Sequence, residues 1–151
     1  MRKICCILLV YFGTITLTEA QSVKLFSYNG TYLATDPKDP IRKGSKLLID
    51  KDVLLSLYRK AEQNIVLQIP IEGRILELPL HKAKLFSKNV SFVLSSTREE
   101  INYEPGYYLQ GKITGEENSF AAISLFATHA GGVIAYRGQN YTLAIASKNN
   151  D

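Results

Sequence analysis

Between Asn64 and Leu80 the chain places an aliphatic side chain at every second position: Ile65, Leu67, Ile69 and Ile71, then, beyond Glu72-Gly73-Arg74, Leu76, Leu78 and Leu80. A period of two suits a β-strand, whose successive side chains point to opposite faces, and does not line one face of a helix of period 3.6. The glycine-centred break predicts a hairpin turning at Glu72-Gly73-Arg74. Further short runs rich in Ile, Val, Leu, Tyr and Phe follow, each closed by Gly, Asn, Pro or charge. They predict strands over 92–94, 107–114, 120–127, 133–136 and 141–146, with turns at 115–118, 129–132 and 137–140.

One segment departs from that period. Leu54, Leu57, Tyr58 and Ala61 recur at i, i+3, i+4 and i+7, the stripe of an amphipathic helix, and Asp50 or Asp52 can cap its start. This helix is expected to lie on the sheet. Residues 27–44 hold Asp36-Pro37-Lys38-Asp39-Pro40, where two prolines and three charges oppose a regular element, so an exposed loop is expected there. The run 120–127 is apolar or small on both faces, which predicts burial on both sides. The fold class is therefore all-β with one helix, as an antiparallel β-sandwich or partly open β-barrel. Ile69, Leu78, Ile113, Ile123, Leu125 and Leu143 are the expected core.

Arg2 and Lys3, the apolar stretch from Ile4 to Leu17, and Thr18-Glu19-Ala20 before Gln21 have the charge, length and small residues of a secretory signal peptide. The stretch is shorter than the roughly 20 residues needed to cross a bilayer. The reading is signal peptide 1–20, a β domain 21–147, and linker-like residues 148–151, in a secreted or extracytoplasmic protein with no membrane contact after cleavage. The chain's two cysteines, Cys5 and Cys6, fall in the leader, so residues 21–151 offer no disulfide, thiol nucleophile or cysteine-based zinc site. Of 151 residues, 46% are hydrophobic and 21% charged, a balance that supports a packed core and argues against disorder. The net charge of +4 is spread along the chain without a basic block interleaved with aromatics, so no nucleic-acid partner is expected.

No chemistry-bearing constellation stands out. His81 and His129 have no partner at ligand spacing, and a His-Glu-x-x-His is absent. No serine sits in Gly-x-Ser-x-Gly. The pairs Glu99-Glu100 and Glu116-Glu117 are neighbours on turns and read as solubilising charge. Gly106, Gly111 and Gly115 read as bulges or close backbone contacts. Tyr107-Tyr108 sends one ring to each face, one to the core and one to an exposed contact. His129, beside Gly131-Gly132, is a candidate polar contact for a partner. Catalytic and metal-ligating residues are thus none, and the binding candidates are Tyr108 and His129. Asn29-Gly30-Thr31, Asn89-Val90-Ser91 and Asn140-Tyr141-Thr142 fit the N-glycosylation pattern.

The segment Gly106-Tyr107-Tyr108-Leu109-Gln110-Gly111-Lys112-Ile113-Thr114-Gly115, then Asn118-Ser119-Phe120-Ala121-Ala122-Ile123-Ser124-Leu125-Phe126, then Gly131-Gly132-Val133-Ile134 and Gly138-Gln139-Asn140-Tyr141-Thr142-Leu143 resembles the closing half of the reprolysin-type (M12B) metalloprotease propeptide, above all in the Gly-x-x-x-Gly strand and its Ser-Phe-Ala-Ala-Ile-Ser continuation. The resemblance covers roughly 64–146. It implies the inhibitory and folding-assisting N-terminal part of a secreted zinc metalloendopeptidase, whose catalytic domain would follow Asp151 and hold the zinc; this chain itself would carry no cofactor. The implied partner is that catalytic domain, in cis or in trans. Many such propeptides block the zinc with a cysteine thiolate. Residues 21–151 have none, so inhibition would need another device, such as a strand laid along the cleft. The alternative reading is a free-standing secreted β-rich binding module for a protein surface or an apolar ligand.

Overall fold

The computed structural model describes residues 22–33, 43–87 and 90–145. The expected signal peptide at 1–20, the proline-bearing stretch 36–40, Asn89 and the expected linker at 148–151 lie outside the described residues. In chain order the elements are β1 (Ser22–Lys24), β2 (Phe26–Leu33), β3 (Lys43–Ile49), α1 (Lys51–Lys60), β4 (Asn64–Ile71), β5 (Arg74–Lys82), β6 (Phe92–Val93), β7 (Glu100–Ile101), β8 (Tyr107–Ile113), β9 (Glu116–Leu125), β10 (Ala130–Tyr136) and β11 (Gln139–Leu143).

Seven strands form one sheet in the order β1-β4-β5-β8-β9-β10-β11. β1 joins β4 in parallel, with Val23 opposite Leu67, and every other neighbour is antiparallel. The sheet is open, ending at β1 and β11, so the fold is all-β with one helix and not a closed barrel. Two further ribbons, β2–β3 and β6–β7, stand apart from the main ladder.

The period-two hairpin forms β4–β5, pairing Ile65 with Leu80, Leu67 with Leu78 and Ile69 with Leu76, all buried. Glu72 and Gly73 both take positive φ, 50° and 75°, as a tight two-residue turn of the hairpin-favouring hand requires. Arg137 and Gly138 repeat this between β10 and β11, at φ 49° and 74°. This turn is shorter than the predicted 137–140, because Gln139 and Asn140 already pair in β11. The other two turns also shift. Glu116 to Asn118 belong to β9, and Ala130, Gly131 and Gly132 belong to β10. Gly132 marks a close backbone approach, since a Cβ there would meet the Ala122 carbonyl oxygen at 2.3 Å.

Three expectations are corrected. The span 27–44 is not simply a loop, because Ser27 to Leu33 lie in β2 and Lys43-Gly44 open β3. That ribbon is mostly exposed and polar, so no period of two reveals it, and its irregular register between Tyr28 and Thr31 is accommodated by Gly30 at φ 98°. The strand expected at 92–94 is only Phe92–Val93, paired with Glu100–Ile101 instead of the main sheet. Burial on both sides of 120–127 does not occur. Ser119, Ala121, Ile123 and Leu125 face the core, whereas Phe120 is 48% exposed and Ala122, Ser124 and Phe126 are half-buried on the outer face.

The helix begins as its sequence predicts. Asp50 Oδ1 accepts from the backbone N–H of Asp52 (3.0 Å) and Val53 (3.1 Å), satisfying two donors with no partner inside the helix. Ala61, left-handed at φ 44°, ends it and donates its N–H to Leu57 O at 2.9 Å. Leu54 and Leu57 enter the same core as Leu67, Leu78, Ile123 and Leu125. Leu143, on the edge strand, is half-buried against it. Among the described residues no helix is long and apolar enough to cross a membrane.

Candidate functional site

Tyr107 and Tyr108 open β8 and point to opposite faces, as strand geometry demands. Tyr107 is 2% exposed, and its hydroxyl donates to the Glu62 carbonyl at 2.5 Å. Burial first, and the nearby Glu62 carboxylate second, push its phenol up to about 12. It is the core tyrosine.

Tyr108 is half-buried on the outer face, and it is not a free ring. Its hydroxyl shares a 2.7 Å hydrogen bond with that of Tyr103, which raises the Tyr103 phenol above its ordinary value together with burial. Its ring stands nearly perpendicular to Phe86 (5.9 Å, 75°) and Phe126 (6.2 Å, 89°), an edge-to-face geometry favoured by the aromatic quadrupole. Phe126 in turn stacks on His129 at 4.6 Å and 16°. On the far side Phe86 meets Phe92 and Tyr103 edge-on. The two sequence candidates, Tyr108 and His129, therefore belong to one continuous aromatic surface, joined through Phe126.

The backbone makes that surface possible. β8 pairs with β9 from Tyr107 opposite Leu125, and β9 with β10 from Leu125 opposite Ala130, so the segments entering β8 and linking β9 to β10 emerge at the same end of the sheet. Phe126 N–H donates to His129 O at 2.9 Å and closes the latter segment. Gly106 leaves room for the Phe126 ring, since a Cβ there would lie 2.8 Å from it. Tyr58 of α1 donates to Glu104 at 2.8 Å and ties the helix to the same end; that bond, followed by burial, raises the Tyr58 phenol. Beside the rings lies an open hollow of about 430 Å³, walled by Phe86, Phe92, Ile101 and Tyr103 with Glu100 among its lining residues.

His81 sits elsewhere, exposed on β5, with Nε2 3.1 Å from Gln110 Nε2. Glu116 binds Arg137 at 2.7 Å and braces the end where β8–β9 and β10–β11 turn. Among the described residues no group of three or more His, Cys, Asp or Glu could hold a metal ion. Phe86 and Tyr103 lie where no periodicity assigns a face, and Phe92 is legible only as a residue of the short strand expected at 92–94, not as part of this surface. Phe126 carried a signal, because the period of two places it opposite Ile123 and Leu125. No family model, curated protein or solved structure matches this chain.

Proposed function

We propose that this chain is the inhibitory and folding-assisting propeptide of a secreted reprolysin-type zinc metalloprotease, docking on the catalytic domain through its aromatic end. The observation that carries this reading is the joining of Tyr108 and His129, through Phe126, on the segments that bracket β8–β9, within the stretch that carries the family resemblance. Half-buried aromatic rings give a partner large contact area at low entropic cost, and such residues dominate interface energies. Without a cysteine in 21–151, occlusion of the cleft falls to this surface, or to backbone pairing along β11, the edge strand of the sheet among the described residues.

The test is affinity for a reprolysin-type catalytic domain. Phe126→Ala and His129→Ala are expected to weaken binding by about tenfold or more, and Tyr108→Ala by roughly thirtyfold, or about 2 kcal/mol. Lys112→Ala, an exposed charge on β8, should change it little. Unchanged affinity in all three aromatic-end variants would remove the surface from the interface.

A second reading, a free-standing binding module, is favoured by the hollow beside the rings, which is large enough for a small apolar ligand. An apolar compound co-purifying with the chain, and lost in Phe92→Ser, would support it over the propeptide reading.

A further inference from the structure

Among the described residues, the outer face of the sheet leaves an apolar patch uncovered beside a glycosylation motif. Asn140 lies opposite Ala135, and Ala135 opposite Phe120, so the three form one row across β11, β10 and β9. Thr142 lies opposite Val133, and Val133 opposite Ala122, forming the adjacent row on the same face. Phe120 is 48% and Val133 47% exposed, and Asn140 and Thr142 are exposed as well. The acceptor asparagine and the hydroxyl residue of Asn140-Tyr141-Thr142 thus stand at the open ends of the two rows that hold the patch. Neighbouring strands are about 4.8 Å apart, which puts Phe120 roughly 10 Å from Asn140.

We infer that Asn140 carries an N-linked glycan whose first sugars lie over Phe120, Ala135 and Val133. The co-reactant is a lipid-pyrophosphate-linked oligosaccharide of the secretory pathway. The Asn140 amide nitrogen bonds to the anomeric carbon as the anomeric C–O bond breaks; the lipid pyrophosphate leaves with the electron pair, and the amide loses one proton to a base of the transferase. Transfer precedes folding, and the folded chain accommodates the product because Asn140 projects from an edge strand. Tyr141, half-buried on the opposite face, keeps Asn140 pointing outward. A glycan here also guards the β11 edge against pairing with a second chain. It leaves free the aromatic end, which lies at the other end of β10.

The full chain, secreted from a eukaryotic cell, is compared with Asn140→Gln, Thr142→Ala and Phe120→Ser. Mass spectrometry is expected to find a glycan on the Asn140 peptide of the wild type and its loss in both sequon variants. Removing glycans enzymatically from the native wild type should raise the emission of the apolar-surface dye ANS. The same treatment should leave Asn140→Gln unchanged, and Phe120→Ser should lose the rise. An unoccupied Asn140, a chain that is not exported, or an occupied site whose removal leaves dye emission unchanged would each overturn the inference. It rests on export and not on the protease reading: an occupied Asn140 on a chain that binds no protease keeps the first and removes the second.

Discussion

Gly111 is the residue at which the sheet is least able to accept a side chain. It lies in β8 opposite Leu80, in the seam that joins β1, β4 and β5 to β8, β9, β10 and β11. That seam has only three registered pairs: Leu80 with Gly111, His81 with Gln110, and Lys82 with Leu109. A Cβ at Gly111 would lie 2.1 Å from the Pro79 carbonyl oxygen and 3.1 Å from Leu80 Cα, all backbone atoms that no rotamer change can move. Contacts below 3.0 Å are essentially never seen, so Gly111→Ala requires the strands to part by about 1 Å. Overpacking of this kind costs about 1–3 kcal/mol, and here it falls on ladder hydrogen bonds as well, so about 3 kcal/mol is expected. For a domain of this size that lowers Tm by roughly 10 °C. Gly131→Ala is the control, since its Cβ would meet only Leu143 O at an ordinary 3.6 Å and should change stability by no more than about 1 kcal/mol. Urea unfolding followed by circular dichroism gives both values. A Gly111→Ala stability within about 0.5 kcal/mol of wild type would refute the close approach of β5 and β8.

Ile123→Ala removes a side chain only 1% exposed at the centre of β9 and should destabilise by about 2–5 kcal/mol in the same assay. Asp50→Ala leaves two helix N–H groups without their acceptor and should cost about 0.5–2 kcal/mol, with a matching loss of helical signal. Tyr107 has its phenol raised from 10.0 to about 12, so the folded state favours its neutral form; that contribution is fully present below pH 10 and is lost as pH rises toward 12. Tyr107→Phe should abolish this alkaline inflection in a plot of stability against pH, and an unchanged inflection would assign it to another group.

How much of this was legible in the chain depended on whether one face of each strand was buried. β4 and β5 announce themselves because Ile65, Leu67 and Leu78 sit in the core while the residues between them face outward. β9 is legible as a strand but not in its faces, since Phe120 and Ala122 on its outer side are as apolar as Ala121, Ile123 and Leu125 on its inner side. The ribbon β2–β3 does not, because Ser27, Tyr28 and Asn29 are all exposed and its regularity lies in backbone pairing, which leaves no hydrophobic period. The same physics divides the candidate site. Tyr108 was readable as the outward member of a tyrosine pair and His129 as a polar residue beside glycines. Their union through Phe126 depends on strand register, and the contribution of Phe86, Phe92 and Tyr103 on how an irregular stretch folds back. Neither is a local property of sequence.

The most direct test of the propeptide reading is inhibition in trans. The chain from Gln21 onward is titrated into a reprolysin-type catalytic domain cleaving a peptide substrate. The account predicts saturable inhibition with a nanomolar-range constant, as an interface of standard size with an aromatic centre can supply. Full proteolytic activity at a large molar excess of folded chain would contradict it.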